Sequence, residues 1–170
     1  MEREAVHPAA DVLAFYERSV ADVFAYAMRL TAGDRHAAEE LVQETYLALV
    51  REVRLGRVVG IGVGWAITTC RHRFLDDLRG RRRRIERERR VAAFPTAAGS
   101  DGVGDTLEAL GLLASDQRAA MVMRYVDEMS VAEIAGAMER SIHSVESLLA
   151  RGRETLRGHI ERGTERKAGQ

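Results

Sequence analysis

Residues 130–157 read SVAEIAGAMERSIHSVESLLARGRETLR, and how this stretch divides decides the fold. Apolar residues recur at helical spacing on both sides of Glu139-Arg140-Ser141, which predicts a short helix (Val131 to Met138), a three-residue turn and a longer helix. Ser141 stands where a hydroxyl can cap the second helix. Ile134, Ala135 and Met138 of the first helix should face inward with Ile142, Val145, Leu149 and Leu156 of the second. His143, Ser147, Ala150, Arg151 and Glu154 point the other way. This is the layout of a helix-turn-helix, whose second helix lies in the major groove and reads base edges from its N-terminal half. Paired helices also occur in proteins that never touch DNA; the small Ala135 and Gly136 and the short turn favour the DNA reading.

Upstream of this unit, VAAFPTAAGSDGVGDT at 91–106 holds one of the chain's two prolines, is rich in Gly, Ala, Ser and Thr, and shows no sustained period. It reads as a linker. An N-terminal helical domain then spans 1–90, a C-terminal one 107–160, and 161–170 form a tail expected to be disordered. Helices are expected near 11–31, 35–54, 65–79, 107–114, 116–126, 130–138 and 142–159, so the fold class is all-α. LGRVVGIGVG at 55–64, with four glycines, is expected to be a loop between helices.

Two N-terminal helices carry faces that a buried core does not explain. From His36 to Arg51 the core side is Ala38, Leu41, Val42, Thr45 and Leu49; the opposite side holds His36, Glu40, Gln43, Glu44 and Arg51 around Leu47. An apolar side chain ringed by polar ones is commonplace on surfaces, and it is also the form of a protein-binding hot spot. From Trp65 to Arg79 the buried stripe is Ile67, Cys70, Phe74 and Leu78, and the far side carries Trp65, Thr68, Thr69, His72, Asp76 and Arg79. An aromatic and a histidine beside the basic run GRRRRIERERR suit unpaired nucleic acid, whose bases stack on rings while arginines follow phosphates. The plainer alternative tucks Trp65 against the glycine loop and leaves the arginines as a solvated run.

The whole chain, 170 residues with 26 basic and 26 acidic side chains, has zero formal net charge, which taken alone argues against a nucleic-acid partner. Resolved by segment the charge is −5 over 1–50, +2 over 51–70, +6 over 71–90, −4 over 91–130 and +1 over 131–170, so the neutrality is a cancellation. All basic residues but Lys167 are arginine, whose fork matches phosphates and guanine edges, although a GC-rich coding sequence would produce the same bias. One cysteine, Cys70, excludes an internal disulfide and a Cys-based zinc cluster. No apolar run reaches membrane-spanning length and the N-terminus lacks a signal peptide's apolar stretch, so a cytoplasmic protein is expected.

Taken together, AEELVQETYLALVRE at 38–52, GWAITTCRHRFLDDLRGRRRR at 64–84 and LASDQRAAMVMRYVDEMSVAEIAGAMERSIHSVESLLARGRETLR at 113–157 resemble, in this order, the extracytoplasmic-function (ECF, group IV) sigma factors of bacterial RNA polymerase. The resemblance implies sigma region 2 over 1–90 and sigma region 4 over 107–160, joined by a flexible linker. It assigns Leu41, Gln43, Glu44 and Leu47 to core polymerase. Trp65, His72, Arg73, Asp76, Arg79, Arg82 and Arg83, with a loop beginning at Gly80, would hold the opened −10 strand. Arg140, His143, Ser144, Glu146, Ser147, Arg151 and Arg153 would meet the −35 duplex, Arg140 and Arg153 at phosphates. The implied partners are core RNA polymerase, promoter DNA and, as in many relatives, an anti-sigma factor; no cofactor, metal, catalytic residue or membrane insertion is implied. The chain departs from the family pattern at His72, where many members have Asn, at Glu146, often basic, and at Ala114, often Pro. Only 13 residues follow Arg157, too few for an appended regulatory domain.

Two other classes compete. A conventional regulator binding duplex DNA through the helix-turn-helix explains 130–158 but gives Trp65, the arginine belt and Leu47 no role. A nuclease or hydrolase would centre on His72, Asp76 and Asp77, without a phosphate loop or metal cluster to support it.

Overall fold

The computed structural model describes residues 8–57, 62–88 and 104–168. Among them are seven α-helices: α1 (Pro8–Thr31), α2 (Arg35–Arg54), α3 (Val63–Glu88), α4 (Gly104–Gly111), α5 (Ser115–Tyr125), α6 (Val131–Met138) and α7 (Ile142–Ala168). Each corresponds to a helix expected from apolar spacing, and the all-α class holds.

Local chemistry sets the breaks. α1 ends where Gly33 takes φ +83° and donates its N–H to the Met28 carbonyl at 2.9 Å, a left-handed conformation that favours glycine. One residue on, the Asp34 carboxylate accepts from the Ala37 N–H at 3.0 Å and caps α2. α6 starts on a reciprocal cap: Ser130 Oγ accepts from the Glu133 N–H, and the Glu133 carboxylate accepts from the Ser130 N–H at 2.8 Å. The Ser130 hydroxyl, which also donates to the Glu133 carboxylate at 2.7 Å, and then the Ser130 N–H hold that carboxyl below its ordinary range. The corner after α6 turns on Glu139 at φ 52°, ψ 49°, and the Ser141 hydroxyl accepts from the Ser144 N–H at 3.2 Å, the cap expected from sequence.

α1, α2 and α3 form one bundle around Val23, Leu30, Leu49 and Cys70, each at most 1 % exposed. Its buried serine and threonine are satisfied: Thr45 donates to the Leu41 carbonyl at 2.8 Å, and Ser19 donates to the Phe15 carbonyl and lies 2.7 Å from the Tyr46 hydroxyl. α5, α6 and α7 pack around Met123, Ile134, Met138, Val145 and Leu149. Gly152 admits Met121 to where a Cβ would stand, with Met121 Cγ 3.0 Å from that position. The two cores join into one continuous buried cluster, with α1 against α4 and α5 and α3 against α5 and α6.

Several expectations are corrected. Helix α3 does not stop at 79: it runs through Gly80 to Glu88, so no loop begins at Gly80. Residues 104–106, assigned to the linker, are the first turn of α4, and the rest of that linker lies outside the described residues, as do 58–61 of the glycine loop. α7 continues to Ala168, so 161–168 are helical where a disordered tail was expected; Arg- and Glu-rich sequence without Pro sustains a helix. Ile142, expected inside, is 53 % exposed, and Leu148 takes the inner position instead. No described helix is long and apolar enough to cross a membrane.

Candidate functional site

Three helix faces carry the residues singled out by sequence, and they end in different surroundings. On α2, Gln43, Glu44 and Leu47 all reach solvent, with Leu47 47 % exposed. Leu47 and Gln43 border a groove of about 500 Å³ between α1 and α2, floored by Tyr16, Val20, Phe24, Tyr46 and Val50. Tyr16 stands edge-on to Tyr46, ring centres 4.8 Å apart. The groove is therefore an apolar trough with a polar lip, suited to an amphipathic segment. Leu41 is buried on the same stripe as Ala38 and Thr45, so it supports α2 from beneath, and it borders the cavity lined by Glu40 and Glu44.

On α3, at about 100° per residue, Trp65, His72, Asp76, Arg79 and Arg83 fall within a sector of about 60°. His72, Asp76 and Arg83 are exposed, while Trp65 is half-buried against the core, so the indole both anchors the helix start and borders the face. Arg73 sits about 80° off this line and lines a polar cavity of about 310 Å³ with Glu40, Glu44, Asp77 and Arg81. Arg82 lies on the opposite flank, half-buried. The sequence reading grouped all seven; the structure brings five into one line and turns Arg73 and Arg82 aside. Arg79 is also not the open side chain expected. Its guanidinium donates to Asp76 Oδ1 at 2.5 Å and to the Ala137 carbonyl of α6 at 2.5 Å, and lies 3.4 Å from Glu139.

On α7, His143, Glu146, Arg151 and Arg153 are exposed and Ser144 and Ser147 half-buried. Arg151 Nε donates to the Ser147 carbonyl at 3.2 Å, laying the guanidinium along the helix with its outer nitrogens outward. Glu146 and Arg153 share a flank of the same face. Arg140 precedes the helix and is paired with Asp116 of α5, with Ser144 Oγ 3.4 Å away. It braces the corner that aims α7, where an open phosphate contact was expected.

Sequence reasoning missed three residues. Tyr26 of α1 donates to Asp127 Oδ2 at 2.7 Å, and Arg71 of α3 donates to the same oxygen at 2.8 Å. Burial and the Asp127 carboxylate push the Tyr26 phenol well above its usual range. Asp127 lies in the turn between α5 and α6, 101 residues from Tyr26, and no local pattern could have paired them. Nearby, burial and then Arg81 depress the Arg118 guanidinium, while a hydrogen bond to Asp77 raises that of Arg81.

Comparison with known proteins follows the same division. Residues 15–84 match the family model of Sigma-70 region 2, and residues 104–156 that of Sigma-70, region 4. The ECF RNA polymerase sigma factor SigE of Mycolicibacterium smegmatis is 31 % identical over 149 residues, covering 81 % of this chain, which spans 57 % of that relative's length. SigX of Bacillus subtilis, also an ECF RNA polymerase sigma factor, is 26 % identical over 141 residues, 75 % of this chain and 73 % of its own. The sigma factor RpoE of Bartonella quintana, solved with the anti-sigma factor NepR, shares the fold with a TM-score of 0.56 at 24 % identity, over 89 % of this chain and 97 % of that one.

Proposed function

The chain belongs to the sigma-70 family, among its ECF members, and from that premise we propose that it is a promoter-specificity subunit of bacterial RNA polymerase. It binds the core enzyme, directs it to a −35/−10 promoter and catalyses nothing itself. The observation that carries the reading is that one chain holds region 2 and region 4 in order, each presenting its own polar face.

The geometry supports a role for each face. Gln43, Glu44 and Leu47, beside the α1–α2 groove, form the polymerase contact: Leu47 supplies desolvated area and its polar neighbours exclude water. The α3 line from Trp65 through His72 to Arg83 takes the unpaired −10 strand by stacking and phosphate contact. The α7 face reads the −35 major groove through His143, Ser147 and Arg151, with Arg153 at the backbone and Glu146 placed to accept from a cytosine amino group. The partners are core polymerase, promoter DNA and an anti-sigma factor, such as NepR is for the Bartonella relative, and the site of action is the cytoplasm. An enzymatic reading loses ground because Asp76 and Asp77 are each committed to an arginine of their own helix, Arg79 and Arg81.

Run-off transcription with purified core polymerase on genomic fragments tests the proposal. Specific start sites with a shared −35/−10 pair are expected. Tight duplex binding by the chain alone, without initiation on any fragment, would instead establish a conventional regulator. Leu47→Asp should weaken core binding by about 2 kcal/mol, roughly 30-fold, at unchanged helix content; a folded variant that binds core normally refutes the α2 contact.

A further inference from the structure

The corner between α6 and α7 is tied to a helix that reads no bases itself. Asp116 lies in the first turn of α5, and its Oδ2 accepts from Arg140 Nη2. The other terminal nitrogen of Arg140 stands 3.4 Å from Ser144 Oγ, in the first turn of α7. The backbone is fixed at the same point. The Arg140 N–H donates to the Ala135 carbonyl at 3.0 Å, and the Ser144 N–H donates to Ser141 Oγ at 3.2 Å. One guanidinium therefore joins the beginning of α5 to the beginning of α7.

The pairing is poorer than these two groups can make. A guanidinium and a carboxylate can meet through two parallel hydrogen bonds, yet Asp116 Oδ1 and Arg140 Nε are both buried without a hydrogen-bond partner. The two side chains are only 25 % and 20 % exposed, so much of the desolvation penalty falls on a pair that makes one of its two bonds. As a device for stability alone it is weak. Its effect on charge is larger. A cation beside the start of a major-groove helix has a second partner available, the DNA backbone, which attracts it on every sequence alike. Asp116 competes with that partner.

We propose that Asp116 is a positioning residue for −35 recognition: through Arg140 it pins the first turn of α7, and it holds the guanidinium off the DNA backbone. Selectivity then falls to His143, Ser147 and Arg151, with no indiscriminate phosphate contact from the corner to dilute it. This rests on the functional reading for the −35 element, whereas the withholding of Arg140 applies to any duplex that the helix-turn-helix meets.

Titrating the full chain with a fluorescein-labelled duplex of mixed sequence, across a range of potassium chloride concentrations, tests the withholding. Asp116→Asn should bind about fivefold more tightly near 0.1 M salt, and its log affinity should fall with log salt more steeply by about 0.9, as one added phosphate contact requires. A merely structural role would weaken binding and leave that slope alone. Asp116→Glu, which keeps the carboxylate, should stay near wild type. Combining Asp116→Asn with Arg140→Gln should restore the wild-type slope, because the released guanidinium is gone. Glu128→Gln makes the same change in net charge at an exposed carboxylate and should move neither reading. In the polymerase-bound form, Asp116→Asn should lower the preference for a promoter over its scrambled −35 version by about threefold. Circular dichroism checks that each variant is folded, with Asp116→Ser replacing an asparagine variant that is not. An unchanged slope in the folded single variant, a steepened slope in the double variant or an equal gain in Glu128→Gln overturns the withholding. An undiminished promoter preference overturns the positioning role. A chain that never initiates transcription with core polymerase, yet shows the steeper slope and its reversal, would remove only the reading as a polymerase subunit.

Discussion

Helices α3 and α7 are the two that the functional reading turns toward DNA, and they stand in opposite conditions. α7 buries Val145, Leu148, Leu149 and Gly152 within its own domain and presents His143, Glu146, Arg151 and Arg153 to water. Its inward contacts are made by α4, α5 and α6 of the same domain, so its outer face follows from its register. α3 buries Cys70, Phe74, Leu75 and Leu78, but its outer face is shared with the other domain, and Arg79 and Arg71 are spent there. A face set by short-range packing can be deduced from helical periodicity. A face claimed by a partner 50 or more residues away cannot.

The contrast can be broken by direct measurement, and the largest effect belongs to α7. With Arg151 open, Arg151→Ala should cost about 1–3 kcal/mol of −35 binding in the polymerase-bound form if the contact is bidentate to guanine. Titration on promoter and scrambled duplexes should show the loss on the promoter only; equal weakening on both would reduce Arg151 to a phosphate contact. Next come two glycines, one packed inside α7's domain and one with open space beside α3. Gly152→Ala drives a Cβ to within 3.0 Å of Met121 Cγ, and overpacking of about 1–3 kcal/mol outweighs the gain of about 1 kcal/mol from alanine's helix propensity. A melting temperature lower than wild type is expected, and a rise would show that Met121 moves aside freely. The smallest effect is at Gly80, where nothing lies within 4 Å of an added Cβ. Because Gly80 is mid-helix, Gly80→Ala should stabilise by up to about 1 kcal/mol. Destabilisation would restore the loop that sequence reasoning placed there.

Much of this was legible beforehand. The corner Glu139-Arg140-Ser141, the Ser141 cap and the inward stripe of Ile134, Ala135 and Met138 follow from local patterning, and so does the exposed Leu47. The failures are equally physical. Leu41 was assigned to two sides of one helix, and only its burial decides between them. Gly80 looked like a stop because glycine usually is one, yet the arginine-rich sequence on both sides carries the helix through. Arg140 and Arg79 were read as free cations, since their acceptors, Asp116 and the Ala137 carbonyl, are 24 and 58 residues distant. The segmental charge pattern did point to a basic belt beside acidic segments; it could not say that one of those acids, Asp127, would close on the belt's own helix.

The continuity of α3 has a metric consequence. From Trp65 to Arg83 the backbone is one rod of about 27 Å, the length of about eight nucleotides at stacked spacing. With no joint at Gly80, that distance is a gauge cut into the covalent chain, and its two ends cannot be adjusted separately. Inserting a single residue at position 80 would advance Arg83 by about 1.5 Å and swing it about 100° around the axis, which is a change of phase far more than of length. A strand gripped at both ends would register that as misalignment, however well each grip was preserved.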